Sequence, residues 1–152
     1  GWMYEGGIRV PLIVKWPGVT KAGSTCAVPV VSTDFYPTLL EIAGLPARPE
    51  QHLDGLSLAG LLKGEGSLAR EAIYWHYPHY HGSSWTPGAA IRDGSWKLVE
   101  FYHYGGHELY NLTSDPGETK DISNSHPEVA TRLLNQLHAW QKDLKAGIPT
   151  PR

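Results

Sequence analysis

The residues of this chain with the most chemistry to offer are its histidines and aromatics, and many of them crowd together. The run His76-Tyr77-Pro78-His79-Tyr80-His81 sets three imidazoles within six residues. Imidazole nitrogens ligate metals, or exchange hydrogen bonds with anions and hydroxyls near neutral pH. On an extended strand alternate residues share a side, so His79 and His81 would face the same way. No acidic or cysteine ligand adjoins them, which argues against a metal centre and leaves no metal ligands assigned. The run reads instead as the rim of a pocket, with His76, Tyr77, His79 and Tyr80 as candidate substrate contacts and Gly82-Ser83-Ser84 continuing an exposed loop. The 6 Trp, 8 Tyr and 8 His of the chain offer flat faces with polar tips, suited to a sugar or aryl ligand. Packing of a small sheet against a helix uses the same residues, and that is the alternative reading.

A second candidate lies at the start. Glu5 and Arg9 bracket Gly6-Gly7, where the backbone can turn sharply or approach something closely. An ion pair across such a turn would fix its shape; the plainer alternative is a surface salt bridge of little consequence. Cys26 has no partner for a disulfide within the chain. Asp34, Asp54 and Asp93 stand singly in cap or turn contexts, where short carboxylates serve the backbone. None of these residues is assigned a catalytic role.

The elements that must position these groups follow from pattern. The 152 residues, 41% hydrophobic and 18% charged, suffice for a folded core. A net charge of −2 without basic clusters argues against nucleic acid. No apolar run reaches the roughly 18 residues of a membrane span. The chain opens at Gly1-Trp2 without an initiator Met, so it is expected to be part of a longer product. Any secretion signal would lie upstream, as in a secreted or periplasmic parent. Asn111-Leu112-Thr113 is a glycosylation acceptor in a eukaryotic secretory setting.

Residues 8–16, apolar and closed by Pro17-Gly18, predict a strand buried on both faces, with Pro11 marking its start or edge. Ser32-Thr33-Asp34 caps a predicted helix through about Ala43, with Pro37 in its first turn and Gly44 just past its end. Leu58 to Leu62 predicts a short helical turn. Beyond Ala72 the texture changes to strands at 72–77, 89–92, 96–102 and 108–112, punctuated by Asp93-Gly94 and Gly105-Gly106. Hairpin links imply an antiparallel sheet. Ser125-His126-Pro127-Glu128 matches a capping box. Val129, Leu133, Leu137, Trp140 and Leu144 then form the stripe of a helix ending at Gly147, to be laid across the sheet. The expectation is an α/β to α+β chain: residues 1–71 as the tail of a larger α/β body, and residues 72–152 as an antiparallel sheet with a helix.

Several of these segments carry a resemblance. Tyr4-Glu5-Gly6-Gly7-Ile8-Arg9-Val10-Pro11 with Trp16-Pro17-Gly18, then Ser32-Thr33-Asp34-Phe35-Tyr36-Pro37-Thr38-Leu39-Leu40 and Leu53-Asp54-Gly55, then Ile91-Arg92-Asp93-Gly94-Ser95-Trp96-Lys97-Leu98, and last Glu108-Leu109-Tyr110-Asn111-Leu112 with Asp115-Pro116-Gly117-Glu118, resemble in order the carboxy-terminal portion of the sulfatase (arylsulfatase-like) family of the alkaline-phosphatase-like superfamily. The resemblance implies the end of an alkaline-phosphatase-like core followed by the sheet-and-helix subdomain. It implies a parent that hydrolyses aryl or carbohydrate sulfate esters with calcium and a formylglycine made from a Cys/Ser-x-Pro-x-Arg motif. Here Cys26 leads into Ala27-Val28-Pro29-Val30, one place out of step and without arginine, so Cys26 is expected to be a buried or half-buried small residue and the chain alone inactive. A sulfate-contacting lysine of many members would precede Gly1. Glu5 and Arg9 would then buttress that region, and His76, Tyr77, His79 and Tyr80 would line the substrate pocket. The partners implied are the upstream part of the same protein and a sulfated small molecule or glycan. The competing readings are a non-catalytic carbohydrate-binding or interaction module, and a phosphodiesterase or phosphonate hydrolase parent.

Overall fold

The computed structural model describes residues 2–149. The chain divides into two compact units, one running Pro11–Arg70 and the other made of the residues up to Val10 together with those from Glu71 onward. The opening residues therefore belong with the sheet.

The sheet unit is a four-stranded antiparallel meander, β1 (Ile73–Tyr77), β2 (Gly88–Asp93), β3 (Trp96–Phe101) and β4 (Gly106–Asn111), in spatial order β1-β2-β3-β4. Asp93 pairs with Trp96, so Gly94-Ser95 forms the tight loop, and Gly94 takes the left-handed φ of 57° that such a loop demands. Alternation along the strands sends residues to two faces. On one face Ala89, Ile91, Leu98 and Leu109 meet Ala130, Leu133 and Leu137 of the carboxy-terminal helix. Tyr74 stacks on Trp140 there, with ring centres 4.8 Å apart. On the other face Ala90, Val99 and Phe101 are covered by Met3 and by Trp85 from the β1–β2 loop. A single helical turn, α1 (Glu5–Ile8), stands where the sequence predicted a glycine turn. Both faces of the sheet are thus sealed, one by the carboxy-terminal helix and the other by the opening segment.

That helix is α4 (Pro127–Asp143; α2 and α3 are described below). It does not use the predicted capping box. His126 is the N-cap, with φ −133° and ψ 57°, and Ser125 lies one residue outside. The cause is Pro127: the residue before a proline is pushed out of helical geometry, so a helix starting at His126 is disfavoured while Pro127 suits the first helical position. The buried stripe is correspondingly Ala130, Leu133, Leu137 and Gln141, while Leu144 is 53% exposed at the C-cap. Ser125→Ala is therefore expected to change thermal stability by less than about 0.5 kcal/mol, below the typical loss of about 1 kcal/mol for a true N-cap. A larger drop in melting temperature would restore the capping box.

In the unit Pro11–Arg70 a 3₁₀ turn (Ser32–Asp34) runs into α2 (Phe35–Ile42), and α3 (Ala59–Lys63) follows. Pro37 sits in the first turn of α2, and Gly44 beyond its end has φ 67°. The predicted strand over residues 8–16 is not formed. Residues 9–16 carry no ladder, with Val10 77% and Ile13 92% exposed. Apolar content marks a segment that needs cover but supplies no pairing partner, and Pro11 lacks a ladder donor. Cys26 also departs from expectation, being exposed.

Candidate functional site

Strand alternation separates the predicted pocket residues. His76 lies on the helix side with Tyr74. Its Nδ1 is 2.8 Å from the Tyr102 hydroxyl and its Nε2 3.2 Å from the Gly147 carbonyl. Gln141 donates to the same Tyr102 oxygen at 2.7 Å, so His76 ties strand to helix. Burial raises the Tyr102 phenol well above its usual range, and Glu100 adds to the effect. Tyr77 is on the opposite side, with its ring edge-on to His79 and His81. Tyr80, 64% exposed, bonds His103 Nδ1 at 2.7 Å, and Thr86 Oγ1 lies 3.0 Å from the Tyr104 hydroxyl. The β1–β2 loop and the β3–β4 turn are thereby interlocked at one end of the sheet. His103 and Tyr104, absent from the predicted set, join it from a part of the sequence that carries no local motif.

The opening segment reaches the same end. The Trp2 indole donates to the Ser83 carbonyl at 2.7 Å and stacks on Tyr4. Trp2, Tyr104, His107, Glu108 and Asp121 border an open cleft of about 430 Å³. Tyr4 and Tyr110 both donate to Glu108 Oε2, at 2.5 and 2.8 Å. Burial, reinforced by the Glu108 carboxylate, drives both phenols well above their usual range, so they stay protonated donors.

Glu5 is where the structure most extends the sequence reading. Arg9 lies 3.9 Å away with its side chain 67% exposed, the outer limit of an ion pair. The close partners come from the sheet. Lys97 Nζ is 3.0 Å from Glu5 Oε1 and 2.8 Å from Glu118 Oε1, and Arg92 reaches Glu5 Oε2 at 3.3 Å. The Lys97 side chain is fully buried, with those of Glu5 and Glu118 only 7% and 2% exposed. Glu118 also accepts the Glu5 backbone N–H at 2.5 Å, from a left-handed backbone at φ 52°. Its loop is held by Asp115, which accepts from the Thr119 and Lys120 backbone N–H groups; these bonds keep its carboxyl below the usual range. Three of the segments that carry the resemblance, those holding Glu5, Arg92 with Lys97, and Glu118, thus converge on one buried cluster.

In the other unit Asp34, fully buried, accepts from Val31 N at 2.8 Å and Leu56 N at 2.9 Å and is gripped by both terminal nitrogens of Arg70. Among the described residues Asp54 and Cys26 have no comparable partners. Among the described residues no three or more His, Cys, Asp or Glu side chains converge as a metal site.

An antiparallel meander sealed by a helix on one side and by Met3 and Trp85 on the other defines an α+β subdomain. A family model described as N-sulphoglucosamine sulphohydrolase, C-terminal, matches residues 1–143, and the chain belongs to that family as a sulfatase carboxy-terminal portion. It is 38% identical to a sulfatase of Formosa agariphila over 99% of this chain and 30% of that protein. It is 33% identical to the N-acetylglucosamine-6-O-sulfatase of Bacteroides thetaiotaomicron over 98% of this chain and 28% of that protein, and 32% identical to human arylsulfatase A over 97% and 33%. The chain therefore spans about a third or less of these relatives. A solved structure of a protein in complex with its substrate D-glucosamine-2-N,6-O-disulfate superposes with a TM-score of 0.75 at 32% identity, covering 90% of this chain and 29% of that one. A phosphonate monoester hydrolase from Silicibacter pomeroyi shares the fold, with a TM-score of 0.65 at 23% identity over 85% and 28%.

Proposed function

We propose that the whole protein hydrolyses sulfate esters borne on a carbohydrate, and that this chain holds the opening run in place beside the reacting centre and offers one wall of the substrate pocket. The observation that carries the reading is the convergence at one sheet end of Trp2, the His79-Tyr80-His81 loop and the His103-Tyr104 turn. Phenol and imidazole groups there suit sugar hydroxyls and sulfate oxygens, and the aromatic faces suit the C–H faces of a sugar ring. His79 and Tyr80 face the ligand in this reading, while His76 and Tyr77 hold the strand and loop behind them. A relative that is an N-acetylglucosamine-6-O-sulfatase and a solved structure bound to D-glucosamine-2-N,6-O-disulfate support a sulfated glycan as the substrate.

Calcium and formylglycine belong, in this reading, to the rest of the protein. Calcium takes about six to eight oxygen donors. This chain's described residues supply no converging set, and Cys26 lacks the context for conversion, so they fit neither group. Large apolar side chains left open in the unit Pro11–Arg70, including Ile13 at 92%, Leu53 at 81% and Leu39 at 62% exposure, support the remainder of the same protein as its covering partner.

The test is sulfate release by the full-length protein from a panel of N-, 2-O- and 6-O-sulfated glucosamines and aryl sulfates. Turnover on the sugars is expected, and Tyr80→Phe should raise KM about tenfold through loss of a hydroxyl contact. The 152-residue chain alone should release none. A full-length protein inert on every sulfate but able to bind glycans would replace this reading with a non-catalytic binding module.

A further inference from the structure

We propose that Lys97 is a positioning residue of the hydrolytic site, acting through Glu5 and Glu118 to fix the path of the opening segment. The proposal rests on the reading that this segment borders the reacting centre.

The cluster is built in a way that stability alone does not explain. Lys97 occupies a β3 position on the sheet face that elsewhere carries Val99 and Phe101, where an apolar side chain would pack without desolvating a charge. Placing an ammonium there requires partners, and they are supplied in balance: Glu5 and Glu118 against Lys97 and Arg92, with no net charge. Glu118 is held in the left-handed region, which a non-glycine residue enters at a cost of about 1 kcal/mol or more. A costly residue in a costly conformation, both aimed at one turn, points to a demand for placement.

The geometry supplies that placement. Apolar contact would let α1 slide over the sheet, because it has no preferred direction. The cluster instead grips Glu5 at both carboxylate oxygens and at its backbone N–H, which fixes the turn in position and in rotation. From there the chain has little freedom. Gly7 lies directly against the Trp2 carbonyl, and the Trp2 indole is anchored on Ser83. Residues 2–5 therefore run between two fixed ends, and the direction in which the chain enters them is set by Lys97.

The experiment uses the full-length protein with Lys97→Met, Glu118→Gln and the double variant Lys97→Met/Glu118→Gln. The single Lys97 change leaves the buried Glu118 carboxylate without its cation and is expected to lower melting temperature. The double variant leaves Glu5 paired with Arg92 at 3.3 Å, so its stability should return towards wild type. Its kcat should still be reduced about tenfold or more, with KM changed less than about threefold, since small misplacements near a reacting centre act on turnover. Glu118→Gln keeps an acceptor for the Glu5 N–H and should give a smaller fall in kcat. Amide exchange at Gly7, Ile8 and Arg9, whose N–H groups close the turn, should quicken in the double variant. A double variant with recovered stability and wild-type kcat would overturn the proposal. Should the wild type hydrolyse no sulfate ester, the parent reading fails, while unchanged exchange at the turn would independently overturn the positioning of α1.

Discussion

Asp34→Ala is expected to unfold or severely loosen the unit Pro11–Arg70, at a loss of about 3–5 kcal/mol. Asp34 is fully buried and the Arg70 side chain only 11% exposed, so removing the carboxylate strands a guanidinium with no water to replace it. The same carboxylate accepts the Val31 and Leu56 N–H groups, which would lose their partners together. Its backbone carbonyl accepts the Thr38 hydroxyl, which in turn accepts the Leu58 N–H at 2.8 Å, so the disturbance spreads from the 3₁₀ turn through α2 to the start of α3. Asp34→Asn, keeping shape and one good acceptor, should cost less. Urea unfolding of the full-length protein, followed by fluorescence, checks this. A shift smaller than about 1 kcal/mol for the alanine variant would mean that the Arg70 pair holds nothing.

Asp34 also shows what a sequence conveys and what it hides. Its place at a helix start was legible from Ser32-Thr33-Asp34, but its carboxylate caps no N–H of α2 and accepts from Val31 and Leu56 instead. Its pairing with Arg70, 36 residues on, was not legible. The same division runs through the sheet unit. The meander, the Asp93-Gly94 bend and the Leu133-Leu137 stripe follow from periodicity and turn residues and lie close to where they were expected. The cap of α4 was misread because the serine–glutamate spacing was weighed without the restriction that Pro127 places on His126. The run at 8–16 was misread because hydrophobicity reports a need for cover, and a ladder needs a partner that no local pattern names. No local pattern marks Lys97, inside the strand expected at 96–102, or Glu118, beyond the strand expected at 108–112, as a site residue. Their junction with Glu5 spans 92 and 113 residues and appears only once the strands are in register. Three of the segments resembling the family did point there, without saying why. The structure gives the reason: they fasten the opening turn to the sheet. Among the pocket candidates, the strand period that paired His79 with His81 also places His76 with Tyr74, on the side that α4 covers.

The two glycines of the opening run should respond to the same substitution with opposite signs. A Cβ on Gly6 meets nothing within 4 Å, so Gly6→Ala only trims the freedom of the unfolded chain and is expected to stabilise by about 0.5 kcal/mol. A Cβ on Gly7 would stand 2.0 Å from the Trp2 carbonyl oxygen and 2.9 Å from its carbon. Both atoms are backbone, so no side-chain rotation relieves the clash, and Trp2 must move by an ångström or more to restore the 3.0 Å that real contacts respect. Gly7→Ala is therefore expected to cost about 3 kcal/mol, at the upper end of overpacking effects, because two anchored stretches resist the shift. Moving Trp2 breaks its bond to Ser83, its edge contact with Trp85 and its stack on Tyr4. Tryptophan fluorescence and thermal unfolding of the full-length protein read both consequences. Equal, small effects at the two positions would show that the close passage of Trp2 over Gly7 does not set the path of the segment. In that event Lys97 would be gripping a turn whose direction is decided elsewhere.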